Sequence, residues 1–273
     1  MQDQECVHFL QWVLPQLHLR WSGFRRVRKQ ACKRIHRRLR ELGVSDFSAY
    51  RSYLIVHPEE WSVLDACCRI TISRFYRDRV VFDRLRQGIL PELIELARSR
   101  GDTELRCWSA GCASGEEAYT LKIIGNLCLG QQEPILPLRI IATDADSHML
   151  ERASHACYKL GNLKELPPEW LAMAFTQSDQ QYGIQPTFRE GIEFEQQDIR
   201  TQMPEGPFHL VLCRNLVFTY FDLTLQQAVL QRILKRLILG GVLVIGVHES
   251  LPADVSQIQF SIEGTGIYRF GNS

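Results

Sequence analysis

From residue 105 onward the chain alternates short β-rich runs with helical runs, and this alternation constrains the fold more than any other feature of the sequence. Residues 105–108 read as a strand, 111–115 as a tight turn, 116–129 as a helix, and 138–143 as a second strand followed by a helix from Ser147. Further strands are expected at 191–194, 208–213 and 242–247, with an amphipathic helix over 223–238 between the last two. Segments 258–262 and 266–270 fit an antiparallel pair at one edge, and the polar stretch 174–190, within a span of about 171–194, fits a small insert. The pattern predicts an α/β fold: a doubly wound, mostly parallel, seven-stranded Rossmann-like sheet covered by helices on both faces.

Residues 1–70 lack that alternation and read as a small all-helical domain, joined by a linker and helix at 71–101 to an α/β domain at 102–273. Over 25–42, Val27, Ala31, Ile35, Leu39 and Leu42 recur at helical spacing as one buried stripe, with Arg26, Lys33, Arg37 and Arg40 off it. Gly43 stops that helix, Ser45 and Asp46 open another through Tyr53, and 58–60 open a third carrying Trp61, Leu64 and Cys68. The net charge of +1 hides an asymmetry, because 20–40 hold ten Lys or Arg and no acid while the remainder carries 22 basic against 31 acidic residues. A basic arm on an acidic body implies an anionic partner; without interleaved exposed aromatics, nucleic acid is not the favoured one.

With 273 residues and 45% apolar content, the chain is neither a disulfide miniprotein nor a long disordered segment. It has no apolar run of membrane-spanning length and no signal-type start, so a cytoplasmic protein without membrane insertion is expected. The nine cysteines are odd in number and lack CxxC or Cys/His zinc spacing, which predicts reduced thiols packed as small hydrophobes and no metal.

The chemistry concentrates in the first strand–turn–helix, Cys107-Trp-Ser-Ala-Gly111-Cys-Ala-Ser-Gly115-Glu116-Glu117-Ala-Tyr119. Gly111 and Gly115 let backbone approach a ligand at the carboxyl end of the sheet. Neither GxGxxG nor GxxxxGK[ST] is present, and Glu116 and Glu117 at the helix start repel phosphate while suiting hydroxyl or ammonium donors. Asp144, ending the second strand, is placed to accept from both hydroxyls of a ribose. Taken alone, each feature is equally a packing turn or a helix cap. In this order along one α/β pattern they describe a ligand with a ribose and an ammonium but no phosphate, which is S-adenosylmethionine.

These residues, together with Phe208-His-Leu-Val-Leu-Cys-Arg-Asn215, Tyr220-Phe-Asp222 and Gly240-Gly241, resemble the CheR-type chemotaxis receptor methyltransferases. The resemblance extends to the basic helix around 34–43 and to the linker Thr71-Ile-Ser-Arg-Phe-Tyr-Arg77. It implies a class I methyltransferase fold and an enzyme that esterifies receptor glutamates, with S-adenosylhomocysteine as product and acidic receptor helices as partners of a monomer. It further implies that Asp144 binds the ribose, Glu117 with its neighbour Glu116 meets the methionine end, and Thr71, Ser73 and Arg77 close over the cofactor. Asp198 and Ile199 would lie beside the adenine, with Arg214, Asn215 and Leu216 lining the cofactor. Arg77 and Tyr220 would take the catalytic roles, and Arg34, Arg37 and Arg38 would bind the acceptor.

Thr71, Ser73, Tyr76 and Asp198 replace the family's Asn, Thr, Phe and Asn. One extra residue separates Asn215 from Tyr220, and Gly246-Val-His-Glu249 stands for GHSE; both differences predict a bulge at a strand end that would re-aim Tyr220. Two alternatives stay open at this level: the same transfer to another protein or small carboxylic acid, and a non-catalytic cofactor-binding regulatory module.

Overall fold

The computed structural model describes residues 2–126, 136–253 and 260–271. Its contacts divide the chain into two compact units, one of 1–71 with 219–225 and one of 72–218 with 226–273.

The first unit holds α1 (Gln2–Val13), α2 (Trp21–Phe24), α3 (Arg28–Leu42), α4 (Phe47–Val56) and α5 (Glu60–Cys68). On α3 the expected stripe is buried at Ala31, Ile35 and Leu39. Gly43 caps it at φ +66°, its N–H donating to Arg40 while Val44 N–H reaches back to Leu39. Asp46 caps α4 by accepting from Ala49 N–H at 2.8 Å. The reading of all cysteines as reduced thiols fails at one pair, since Cys6 of α1 and Cys32 of α3 form a disulfide. Both lie on the faces along which their helices pack, 6.0 Å apart between Cα atoms, a proximity that spacing along the chain does not reveal. The 219–225 segment joins this unit through Arg20 N–H donating to Tyr220 C=O at 2.8 Å and an antiparallel bridge of Leu19 with Phe221.

The second unit begins with the linker and α6 (Arg79–Arg84), which passes through a π-helical turn at Leu85–Ile89 into α7 (Leu90–Arg100). There follow β1 (Leu105–Ala110), α8 (Glu116–Ile124), β2 (Leu138–Asp144), α9 (Ser147–His155), β3 (Cys157–Lys159), α10 (Leu160–Leu163), α11 (Pro168–Ala174), β4 (Phe175–Ser178) and β5 (Gln181–Ile184). The rest of the chain is β6 (Ile192–Gln196), β7 (Phe208–Leu212), α12 (Val217–Tyr220) and α13 (Leu223–Leu234), whose adjoining ends at 219–225 belong to the first unit, then β8 (Leu237–Val244), β9 (Phe260–Gly264) and β10 (Ile267–Phe270). Parts of the expected 116–129 helix and 258–262 strand fall outside the described residues.

Seven strands form one sheet, as the alternation predicted, and their order is β6-β2-β1-β7-β8-β10-β9. The first five run parallel and β10 is antiparallel to both its neighbours. Chain order reverses on either side of β1, so the carboxyl ends of β1, β2 and β7 open onto the crevice where such sheets bind ligands. Two boundaries differ from expectation. The 223–238 helix stops at Leu234 and the last parallel strand starts at Leu237 rather than 242, because Leu237 pairs with Phe208 and a kink at Gly240 (φ +80°) lets the strand run on. The 174–190 stretch supplies β4 and β5, which join β3 in a separate sheet of order β3-β5-β4. The core between sheet and helices buries Leu105, Cys107, Ile140, Leu210, Leu212, Val242 and Val244, each large apolar side chain contributing roughly 1.5–3 kcal/mol. Among the described residues no helix is long and apolar enough to cross a membrane.

Candidate functional site

The glycine turn leaves β1 with the N–H groups of Gly111 and Cys112 both donating to Thr143 C=O, at 2.8 and 3.0 Å, which ties it to the end of β2. Gly111 has φ +73°, which favours glycine, and a Cβ there would stand 2.5 Å from Leu216 Cδ2 and push that side chain aside. The two aspartates after β2 divide their labour. Asp146 caps α9, accepting from His148 N–H at 3.0 Å. Asp144 stays half-buried at the sheet end, Oδ2 accepting from Ala113 N–H at 2.8 Å and Oδ1 from Asp146 N–H at 2.9 Å.

Glu116 and Glu117 separate in the same way. Glu116 is fully buried, its oxygens accepting from Ser114 Oγ at 3.0 Å and Asn162 Nδ2 at 2.9 Å. That corrects its expected place on the ligand face: the helix turns it into the protein, where it fastens the start of α8 to α10. Glu117 points to the crevice side, accepting from Ser109 Oγ at 2.8 Å and from Arg214 Nη1 at 3.0 Å.

Arg214 is the hub. Its side chain is 2% exposed and lies over the Phe82 ring, and Nη2 donates to Asp78 Oδ2 at 2.7 Å and to Arg77 C=O at 2.8 Å. Its buried Nε has no hydrogen-bond partner among the described residues. Asn215 beside it is left-handed at φ +55°, and Leu216 packs on Gly111.

In the linker, Tyr76 (φ +58°) and Asp78 (φ +60°) are both left-handed, so Arg77 sits between two strained non-glycine residues. Buried anchors hold it there: Phe75 packs on Tyr158 and Phe175 and donates its N–H to Asn162 C=O, while Tyr76 N–H donates to Thr120 Oγ1. The Arg77 guanidinium donates to Ile72 C=O at 2.9 Å, and Ser73 is half-buried nearby in sequence.

Asp198 follows β6 in a loop joined to Asp144 by Gln197 N–H donating to its carbonyl at 3.0 Å. Its carboxylate accepts from Arg200, with Nη2 at 2.6 Å, and Ile199 is buried. The buried thiols of Cys112 and Cys213 are pushed up by desolvation and by neighbouring carboxylates, which removes them as nucleophiles.

Residues 71–266 match the family described as "CheR methyltransferase, SAM binding domain". The chain belongs to the CheR methyltransferase family. It is 35% identical over 187 residues, 68% of either chain, to the chemotaxis protein methyltransferase of Listeria monocytogenes serovar 1/2a. It is 30% identical over 249 residues to that of Salmonella typhimurium, covering 88% of this chain and 82% of the relative. To chemotaxis protein methyltransferase 1 of Pseudomonas aeruginosa it is 33% identical over 189 residues, 65% of each.

As a member of the CheR family the chain is an S-adenosylmethionine-dependent methyltransferase. Its crevice suits that cofactor, because Asp78, Glu117 and Asp144 set three carboxylates against the two guanidiniums of Arg77 and Arg214. A sulfonium and an ammonium complement such an excess of negative charge, whereas a pyrophosphate does not.

The remaining expected residues lie in the first unit. Thr71 Oγ1 accepts from Arg34 Nη2 at 3.2 Å, and Arg34 also donates to Arg69 C=O. Tyr220 meets the Phe24 ring edge-on at 5.2 Å. Arg38 forks onto Glu60 at 2.9 and 2.7 Å. Arg34 and Arg38 are thus engaged inside the unit instead of facing an acceptor, a correction to their expected role, while Arg37 is exposed at 69% beside Glu41. Within 20–40 the cations displayed to solvent are Arg20, Arg25, Arg26, Lys29, Lys33, Arg37 and Arg40.

The predicted bulges do not occur. The extra residue before Tyr220 is taken up in the helical turn of α12, Gly246 to Glu249 closes as a four-residue turn, and β7 pairs regularly with β8 from Leu210 to Leu212. Two residues of the crevice escaped the sequence reading. Asp78 gives no signal beyond following Arg77, and Glu249 gives none beyond its motif.

Proposed function

We propose that this protein transfers a methyl group to glutamate side chains of chemoreceptor cytoplasmic helices. The observation that carries the reading is the family match over 71–266, whose named relatives are chemotaxis protein methyltransferases. Bound in the crevice, S-adenosylmethionine supplies an electrophilic sulfonium methyl. Asp144 accepts from the ribose hydroxyls, its orientation set by the Ala113 and Asp146 amides. Glu117, fixed by Ser109 and Arg214, attracts the ammonium end, and Asn215 and Leu216 border the same crevice. Asp198 with Ile199 borders the base, Ser73 closes the linker side, and Arg77 pairs with the incoming carboxylate.

The acceptor glutamate has a reference pKa of about 4.3 and is ionised at pH 7, so its oxygen attacks without a general base. A carbon–oxygen bond forms, the carbon–sulfur bond breaks, and its electron pair remains on sulfur. Orientation of the two reactants then contributes on the order of 7 kcal/mol or more to catalysis. The exposed stripe of Lys29, Lys33, Arg37 and Arg40 on α3 steers glutamate-rich helices toward the enzyme.

Calorimetric titration with S-adenosylhomocysteine tests the crevice: the wild type binds, and Asp144→Ala loses about tenfold or more through the missing charged acceptor. Equal affinity in the two would remove Asp144 from the site. Labelled cofactor incubated with receptor cytoplasmic fragments tests the acceptor, base-labile label on glutamate being the expected result. Label on other proteins alone would overturn the receptor assignment.

A further inference from the structure

Glu249 stands five residues past the end of β8 and has no part in the chemistry above. Its Oε2 accepts two backbone N–H groups, from Gly246 at 2.5 Å and from Asn215 at 2.9 Å. Its own N–H donates to Gly246 C=O at 2.9 Å, closing the turn that brings the carboxylate back. β7 and β8 run parallel with Leu212 opposite Val244, so the two loops leave the sheet side by side and one oxygen ties them together. The fit is close: a Cβ on Gly246 would stand 2.8 Å from that Oε2 and 2.9 Å from Asn215 Oδ1.

Asn215 is the pivot of this arrangement. It is left-handed, a conformation that asparagine tolerates better than other residues with a Cβ but that still costs more than it does in glycine. On one side its backbone sets Arg214, which reaches Glu117, Asp78 and the Arg77 carbonyl; on the other it sets Leu216 against Gly111. A half-buried N–H at such a point needs an acceptor, and Glu249 provides it from the next strand.

We propose that Glu249 is a positioning residue for methyl transfer, its carboxylate holding the left-handed turn at Asn215 and through it the Arg214 hub and Leu216. This rests on the cofactor-binding reading above. Glu249 acts through the Asn215 amide and touches neither reactant. What matters is an acceptor atom at the right reach; the negative charge is secondary, since a backbone N–H donates to an amide oxygen as well.

The test is S-adenosylhomocysteine titration of the full chain in wild type and five variants, Asn215→Gly alone among them, with thermal melting of each. Glu249→Gln keeps an acceptor at full length and stays within about threefold of wild type, while Glu249→Asp keeps the charge but falls one methylene short and weakens binding about tenfold. Glu249→Ala weakens it at least as much. In an Asn215→Gly background, where the left-handed turn costs nothing, the same Glu249→Ala change has at most about a third of that effect. An Asp variant that binds like wild type beside a Gln variant that does not would show that charge is what counts, and overturn the proposal. An equal loss from Glu249→Ala in both backgrounds would also overturn it. Should wild type itself fail to bind, the cofactor reading falls instead, and melting identifies a variant that has merely unfolded.

Discussion

Glu60 shows how much a single buried carboxylate can organise. It is 4% exposed, receives the two-pronged Arg38 guanidinium and accepts from Tyr50 Oη at 2.7 Å. Arg38 first, and Tyr50 after it, hold its carboxyl below the usual range against the opposing effect of burial. A depressed carboxylate contributes stability above its unfolded pKa, and that contribution is lost as pH falls through the lower folded value. Urea melts from pH 7 to pH 3 will therefore show an acid limb that Glu60→Gln flattens. At pH 7 Glu60→Ala is expected to cost about 2–3 kcal/mol, the lower end for a broken buried pair because Arg38 is still 27% exposed. Neither the pairing nor the burial is legible in the sequence, where Arg38 is one of ten cations. Asp144 is the opposite case, since its place at the carboxyl end of a strand is legible from the sequence alone.

At the scale of elements, α3 has three distinct faces. Ala31, Ile35 and Leu39 enter the core, Arg34 and Arg38 reach sideways to Thr71 and Glu60, and Lys29, Lys33, Arg37 and Arg40 face water. Helical periodicity predicted the first and the general basicity, but which cation reaches an internal acceptor depends on α5 and the linker. The Cys6–Cys32 bond fastens α3 to α1 across 26 residues, a loop whose closure stabilises by about 3.5 kcal/mol in the chain-entropy account. Reduction, or Cys6→Ser, should lower the melting temperature of the helical unit. Thiol titration in denaturant should find two fewer than the nine cysteines before reduction and all of them after. The Leu237–Leu239 run marks the complementary limit, since a short apolar run fits a helix or a buried strand, and only pairing with Phe208 settles it.

For the molecule as a whole, charge distribution matters more than net charge. The exposed α3 cations stand on one unit and the carboxylate-rich crevice belongs to the other, so acceptor recruitment and cofactor binding should respond separately to mutation. A Lys33→Glu, Arg37→Glu double variant is expected to raise KM for receptor fragments about fivefold or more with S-adenosylhomocysteine affinity unchanged. Raising ionic strength should reproduce the KM effect in wild type, because exposed charges are screened beyond a Debye length of about 8 Å at 0.15 M salt. A variant with normal KM and normal salt dependence would show that the stripe does not recruit the acceptor.

The sequence by itself determined the alternating α/β architecture, the seven-stranded sheet and the glycine turn with Asp144 and Glu117 at its mouth. These are encoded by local periodicity and by residues fixed to strand ends, which neighbours along the chain suffice to specify. Tertiary structure alone decided that Glu116 turns inward to Asn162, that Arg214 binds Glu117, Asp78 and the Arg77 carbonyl, that Cys6 meets Cys32 and that Glu249 reaches Asn215. Each of those choices joins groups far apart along the chain. The partner that satisfies a buried donor or charge is set by how elements pack, and packing is a property of the whole fold rather than of any segment.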